Sequence, residues 1–366
     1  MIRSATRSFS PGDSDSSRGL DLPLIGSAAI LLLFGLAALF SIDYDGGSRW
    51  FAKQLGLAVV GLVPFLLFYK VPAAFWHRVA SVIYGVNIAM LLAVQVIGST
   101  VGGAQRWLIL GPIQFQPSEF SKIALAFTLA AFYVNRMDDI RRPSTFILSV
   151  LHTAPSVLLV FKQPHLGGTL TLLGVWLVVT IVAGVPWRFI GYAFLALVVM
   201  GAVAWNVPGI LTDEQRGRVI GFFNPDPKGD GYQQGRALVA IGSGGAFGTG
   251  YLRGDLKAAG SVPENQTDFV LTVVGEEGGL FGLALLMSAF AFFFYRCWTA
   301  SHRAPDLFQR VAGAGILAAI AFHFVANVGM NLSWLPVVGL WLPFISYGGT
   351  ALWMCMAAVG FFASCK

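Results

Sequence analysis

Charge is what this sequence has least of. Only 11% of its 366 residues are Asp, Glu, Lys or Arg, against roughly 25% in an ordinary soluble domain. A water-soluble chain of this length has too much surface to carry so few charges, which excludes a soluble globular enzyme. Cysteine is scarce as well. Cys297, Cys355 and Cys365 are far apart or lie within hydrophobic sequence, so neither a disulfide framework nor a metal-ligand spacing is visible. No short apolar core ending in a small-residue cleavage site precedes the first long hydrophobic run, and the N-terminus is not expected to be a cleavable signal.

What the sequence has in quantity is apolar residues, 56% of the total, with a mean hydropathy of +0.70. They come in runs close to the ~20 residues a helix needs to cross the hydrocarbon core. Ten runs are expected to span, at roughly 24–42, 51–69, 79–98, 117–134, 145–161, 167–184, 188–207, 269–295, 310–331 and 343–363. The net charge is +6, but the basic residues fall between these runs rather than in one patch, which argues for membrane topology and against nucleic acid.

With the N-terminus inside, thirteen Lys and Arg residues lie in cytoplasmic segments. The short outer loops and their edges hold only Arg49, Lys53, Arg106 and Lys162. Both termini are therefore expected to be cytoplasmic. Residues 1–20, with Arg3, Arg7, Asp13, Asp15, Arg18 and many serines, read as a disordered tail, and 21–366 as one transmembrane domain. The expected fold is an all-α polytopic membrane protein with about ten transmembrane helices.

One segment breaks the rhythm. Between the seventh and eighth spans, roughly 208–268 is polar, glycine-rich and non-spanning. A structureless loop of that size is rare unless it has a function. The topology puts it outside, together with the outer loop 99–116.

Ionisable residues in or beside membrane helices are costly and so are functional candidates. Glu119 and Lys122, three apart at the start of the fourth span, share a helical face. They suit a structural ion pair as well as a site. Arg106 and Trp107 precede them: an arginine there can hold phosphate, and a tryptophan can anchor at the interface. Asp268 and Glu276, followed by Glu277, lie where the long loop re-enters the membrane. If 268–277 is helical, Asp268 and Glu276 are ~80° apart in projection and ~12 Å apart along the axis. They would border one cavity without pairing. A carboxylate at that depth suits a general base, or a cation-paired structural acid.

The long loop carries Arg216, Arg218, Lys228, Arg236, Arg253 and Lys257, which suit an anionic lipid headgroup and equally a solvated surface. The run Gly242-Ser243-Gly244-Gly245-Ala246-Phe247-Gly248-Thr249-Gly250 is not a phosphate-binding Walker sequence, and reads as a tight turn or a backbone nest. His152, His323 and Asn327 are expected to pack or hydrogen-bond between helices. These residues describe an outward cavity of acids and cations, and leave an enzyme and a transporter both open.

Several blocks carry a resemblance. Arg106-Trp107-Leu108 with Gly111, Gln116-Pro117-Ser118-Glu119 with Lys122, Lys162-Gln163-Pro164, and Asn224-Pro225 with Gly231-Tyr232-Gln233 resemble the SEDS family of shape, elongation, division and sporulation proteins. So do Thr267-Asp268-Phe269 followed by Glu276-Glu277, and Leu342-Pro343-Phe344-Ile345-Ser346-Tyr347-Gly348-Gly349. Together they cover the chain from about residue 24 to its end. Ile241-Gly242-Ser243-Gly244-Gly245, Asn327-Val328-Gly329-Met330 and Pro336-Val337-Val338-Gly339 look like the elongation branch rather than the division branch.

The resemblance implies a bacterial peptidoglycan glycosyltransferase that polymerises lipid II at the outer face of the cytoplasmic membrane. A class B penicillin-binding protein and other elongation-complex membrane proteins would be its partners, and a divalent cation (Mg or Mn) a possible cofactor. By motif, Asp268 is the catalytic candidate, with Glu276, Glu119 and Lys122 in support. Arg106, Trp107, Lys162, Arg216, Arg218 and Gln233 are the candidates for binding lipid II and the nascent strand. Two positions depart from the family pattern. His165 stands where Asp usually follows Gln-Pro, and Asn265-Gln266 replaces the commoner Arg-His two residues before Asp268. A lipid-linked-sugar flippase and a non-catalytic scaffold are the rival expectations.

Overall fold

Each expected hydrophobic run folds as a helix in the computed structural model, as it must where lipid offers the backbone no hydrogen bonds. The structure describes residues 20–47, 49–101, 104–110, 113–211, 213–223 and 232–365. Residues 1–19 of the expected disordered tail fall outside the described residues, as do Gly111, Asn224, Pro225, Lys228 and Gly231.

The helices run α1 Leu22–Gly46, α2 Trp50–Lys70, α3 Ala73–Arg78, α4 Ala80–Ile97, α5 Pro117–Val134, α6 Pro143–Lys162, α7 Leu166–Ala183 and α8 Trp187–Asn206. There follow α9 Asp213–Phe223, α10 Tyr232–Ser243, α11 Asp255–Ala258, α12 Val270–Arg303, α13 Leu307–Asn331 and α14 Gly349–Ser364. Local chemistry sets their ends. Asp21 caps α1 through the Leu24 amide at 3.1 Å, and Gly47, with φ 64°, closes it in the left-handed conformation that glycine adopts freely.

Among the described residues eight helices are long and apolar enough to cross a membrane. The remaining two of the ten expected runs are α5, which carries Glu119 and Lys122, and α14, which has 16 residues. Both are interior helices. All but Phe120, Phe132 and Val134 of the 18 residues of α5 are buried, so most of this helix meets protein rather than lipid and tolerates polar side chains. At the opposite extreme, α8 buries only Phe189.

The fold is not purely α-helical. Residues between α4 and α5 form an antiparallel meander of β1 Ser99–Val101, β2 Ala104–Leu110 and β3 Ile113–Phe115. Its register pairs Thr100 with Gln105 and Ile109 with Gln114. The segment is rich in β-favouring residues (Thr100, Val101, Trp107, Ile109, Ile113, Phe115), and strand pairing satisfies its backbone at the end of the bundle.

One large apolar core joins α1, α2, α5, α7, α12, α13 and α14. Polar bonds stitch helices within it: Ser121 to Asn87 at 2.6 Å, Asn87 to Ser156 at 3.2 Å, and Tyr133 with Thr180 at 2.9 Å. His152 plays the interhelical part expected of it, bonding Thr128 at 3.0 Å and stacking on Tyr84. A second, small core of Ala237, Ala240, Val262, Phe269, Met330 and Val337, with Leu256 against it, seats α10 and the segment ahead of α12.

Candidate active site

Helix α12 begins at Val270, so Asp268 is not on the helix but in the turn just before it. The turn is tied down on several sides. The amides of Thr267 and Phe269 donate to the Glu264 carbonyl at 3.1 and 3.2 Å. The Asp268 carbonyl accepts from the side-chain amides of Asn327 at 2.8 Å and Asn331 at 3.0 Å, both on the last turns of α13. The Asp268 side chain is half-buried, beside the fully buried Phe269.

The segment between α13 and α14, which holds the Leu-Pro-Phe-Ile-Ser-Tyr-Gly-Gly block, closes over this turn. The Ser346 hydroxyl donates to the Thr267 carbonyl at 2.5 Å, and the Tyr347 amide to that of Gln266 at 2.8 Å. The buried Gln54 of α2 clasps the same block, donating to the Ser346 carbonyl and accepting from the Gly348 amide. Sequence reasoning singled out Asn327 only as an interhelical partner and missed Asn331 and Gln54. A buried amide aimed at backbone carries no distinctive spacing.

Glu276 and Glu277 lie two turns along α12. The Glu276 carboxylate accepts the amides of Leu256 and Lys257, at 2.7 and 3.0 Å. Glu277 pairs with the Lys257 ammonium at 2.5 Å and accepts from Ser41 of α1. Lys257, one of the loop cations suited by sequence to a lipid headgroup, is thus buried and committed to a carboxylate. Nearby, burial and the Glu277 charge push the Tyr251 phenol above its usual pKa, so it remains the donor to the Ala37 carbonyl.

The glycine run forms neither an isolated turn nor an anion nest, but a backbone zipper against α12. The amides of Thr249 and Gly250 donate to the carbonyls of Glu276 and Glu277, and those of Leu280 and Phe281 to the carbonyls of Gly245 and Ala246. A β-carbon at Gly244 would collide with the Gly275 carbonyl oxygen, and one at Gly248 with that of Glu277. Opposite them Gly279, at φ 59° and ψ −159°, breaks α12 in two.

Glu119 and Lys122 form the expected ion pair, at 2.7 Å and 0–1% exposed. Trp341 donates its indole N–H to the same Glu119 oxygen at 3.0 Å, and His323 packs on the indole with ring centroids 4.0 Å apart. Asn327 connects the two regions. The amide that holds Asp268 also holds the Leu340 carbonyl at 2.7 Å, one residue from Trp341.

The other candidates scatter around this end of the bundle. Arg106, half-buried on β2, spends Nε and Nη2 on the carbonyls of Gln163 and Pro164, at 2.9 and 2.5 Å. Trp107 is its half-buried neighbour, paired across the meander with Ser99. His165, buried at the start of α7, accepts the Thr169 amide on its backbone carbonyl at 2.9 Å. Lys162 is exposed and opens on a cavity of ≈ 490 Å³ whose other walls include Leu158, Phe161, Pro164 and Ile210. Arg216 donates to the Val207 carbonyl at 3.2 Å. Gln233 is half-buried on α10, while the adjacent Gln234 fastens that helix to the carbonyls of Met330 and Leu335. The side chain of Arg218 lies outside the described residues. Among the described residues, no three His, Cys, Asp or Glu side chains converge to hold a metal ion.

A multi-pass helical membrane protein with a braced acidic turn at one end of the bundle is the class these features define. The chain belongs to the FtsW/RodA/SpoVE family: the family model described as "Cell cycle protein" matches residues 21–366. It is 37% identical over 313 residues to the peptidoglycan glycosyltransferase MrdB of Escherichia coli K12, covering 84% of this chain and 83% of that protein. It is 32% identical over 356 residues to the probable peptidoglycan glycosyltransferase FtsW of Thiomicrospira cyclica, covering 94% and 90%. Its fold matches a chain from a structure described as "Structural coordination of polymerization and crosslinking by a peptidoglycan synthase complex", with a TM-score of 0.80 at 31% identity and coverage of 94% and 97%. It also matches the rod shape determining protein RodA of Thermus thermophilus, with a TM-score of 0.70 at 28% identity over 94% and 95% of the two chains.

Proposed function

We propose that this chain is a peptidoglycan glycosyltransferase that polymerises lipid II during cell elongation, with Asp268 as its general base. The observation that carries the site is the bracing of the Asp268 turn by Asn327, Asn331 and Ser346. Rigid backbone support under a half-buried carboxylate is the preorganisation that proton transfer requires.

The reaction is an inverting glycosyl transfer. The acceptor GlcNAc 4-hydroxyl attacks the anomeric carbon of the donor sugar from the face opposite the diphosphate. The new C–O bond forms as the bond to undecaprenyl diphosphate breaks, and the hydroxyl proton passes to Asp268. Lys162 on its largely apolar cavity suits a lipid-linked phosphate, with Arg216 and Arg218 as further loop cations. A divalent cation, Mg or Mn, would neutralise the departing diphosphate. Such an ion would be held chiefly by the oxygens of the substrate diphosphate, since Asp268 is assigned to the proton.

The distribution of Lys and Arg supports an orientation with both termini cytoplasmic, ten crossings, and the Asp268 end with loop 208–268 outside. A class B penicillin-binding protein is the proposed partner, joined in the membrane by other elongation-complex proteins. The likeness to a chain of a synthase that coordinates polymerisation with crosslinking supports that pairing. The flippase alternative draws on the Glu119–Lys122 pair buried inside the bundle.

The test is to incubate the purified wild type and Asp268→Asn with lipid II and a divalent cation, and separate the products on a gel. Polymer from wild type alone is the expected result. Equal polymer from a folded Asp268→Asn removes Asp268 as the base. No polymer from either, with the partner protein present, turns the reading towards a flippase or scaffold.

A further inference from the structure

A lysine whose side chain is 1% exposed is an uncommon way to hold a four-residue helix in place. Apolar side chains of similar volume in place of both Lys257 and its partner Glu277 would fill the same space without burying charge, and such replacements of a whole pair are often neutral or stabilising. Lys257 nevertheless meets three separate anchors around α11. Its ammonium bonds Glu277 of α12 and Ser41 of α1, each at 2.5 Å. Its backbone amide, with that of Leu256, is held by Glu276. Two adjacent carboxylates of α12 are thus both spent on α11, one on its backbone and one on its only lysine.

The consequence lies in where the chain goes next. Residues 259–269 leave α11, form the Asp268 turn and enter α12, so both ends of this short stretch are bolted to the same piece of α12. Packing adds a second route. Leu256, next to Lys257, lies against the small core that contains Val262 and Phe269, and Phe269 adjoins Asp268. Any shift of α11 therefore reaches Asp268 through the chain and through the Leu256–Phe269 core.

We infer that Lys257 is a positioning residue: its buried bonds to Glu277 and Ser41 lock α11 onto α12 and thereby set the placement of the Asp268 carboxylate. The inference rests on the glycosyltransferase reading above. It concerns alignment and not substrate contact, because a buried ammonium engaged by a carboxylate has no open path to a diphosphate. The expected signature is a loss in the chemical step with lipid II binding little changed.

The experiment compares wild type, the charge-neutral pair Lys257→Met/Glu277→Gln, the milder Ser41→Ala, and Asp268→Asn as the floor. Initial rates are measured across lipid II concentrations, and thermal midpoints in the same detergent. The neutral pair leaves no buried charge uncompensated and is expected to fold with KM within about twofold of wild type. Its kcat should fall by roughly 10–100-fold, the scale of an ångström-sized misplacement of a reacting group. Ser41→Ala should show a smaller loss, also confined to kcat. A folded neutral pair with wild-type kcat, or a defect appearing only in KM, overturns the inference. If the neutral pair does not fold, wild-type kcat in Ser41→Ala overturns it instead, and a kcat loss there supports it. A folded wild type that makes no polymer with the partner protein present overturns the glycosyltransferase reading and this inference with it, whereas wild-type polymer beside an unimpaired variant overturns the inference alone.

Discussion

Asn327 donates its side-chain amide to the backbone carbonyl of Asp268 at 2.8 Å, and the same nitrogen reaches the Leu340 carbonyl at 2.7 Å. One buried amide thus fixes the acidic turn and the segment that carries Trp341 relative to α13. Leucine at this position fills similar space but removes the bond to the buried Leu340 carbonyl and leaves the Asp268 carbonyl with Asn331 in place of two side-chain donors. Asn327→Leu is therefore expected to cost about 1–3 kcal/mol, seen as a lower thermal midpoint. It should also slow polymerisation by roughly 10-fold or more, because the carboxylate is no longer held in line.

The Glu119–Lys122 pair offers a different outcome for single and double changes. Removing either partner strands a charge at 0–1% exposure, and Glu119→Gln or Lys122→Met alone should each destabilise by about 3–5 kcal/mol. Glu119→Gln/Lys122→Met together should recover much of that stability. Thermal unfolding of the three variants in detergent measures the recovery, and strictly additive losses would show that the two residues do not act as a pair.

Glycines of one run should separate sharply in their tolerance of alanine. Gly248→Ala places a β-carbon into the Glu277 carbonyl at a residue with φ +81°, and should yield little folded protein. Gly242→Ala meets nothing within 4 Å and should behave as wild type. Monodisperse yield on size-exclusion chromatography distinguishes them.

Lys162→Ala tests the cavity rather than the base. Loss of one charge-assisted hydrogen bond to a phosphate is expected to raise KM for lipid II by roughly tenfold, with kcat and thermal midpoint unchanged. A fall in kcat at constant KM would remove Lys162 from substrate binding.

The spans were legible in the sequence because lipid leaves an apolar run one way to satisfy its backbone, and every expected run became a helix. The meander was not, since 99–116 is short and its strands depend on one another for hydrogen bonds. Among the loop cations, Lys257 could not be told from Arg253 by residue type. Only the fold buries the first against Glu277 and leaves the second exposed. Asp268 was legible through its motif and its place at the membrane re-entry, whereas the groups that brace it, Asn331, Ser346 and Gln54, are polar residues whose partners lie between 63 and 294 positions away in sequence. Glu276 and Glu277 stood out in the sequence as costly acids. Their attachment to α11 lies beside the glycine zipper, in which the Thr249 and Gly250 amides hold the backbone carbonyls of the same two acids.

The break at Gly279 also acts as a ruler. An unbroken helix of the 34 residues of α12 would measure about 51 Å at 1.5 Å per residue, far more than the ~30 Å hydrocarbon core. Divided at Gly279, the piece 280–303 is about 36 Å long and suffices to cross, while 270–278 becomes a stalk of about 13 Å that carries Asp268 at its tip. The distance of Asp268 from the spanning piece is therefore a matter of residue count. One residue added to the stalk would move the tip by about 1.5 Å and turn it by roughly 100°, so the distance from glycine to acid is as much a dimension of the site as any side chain in it.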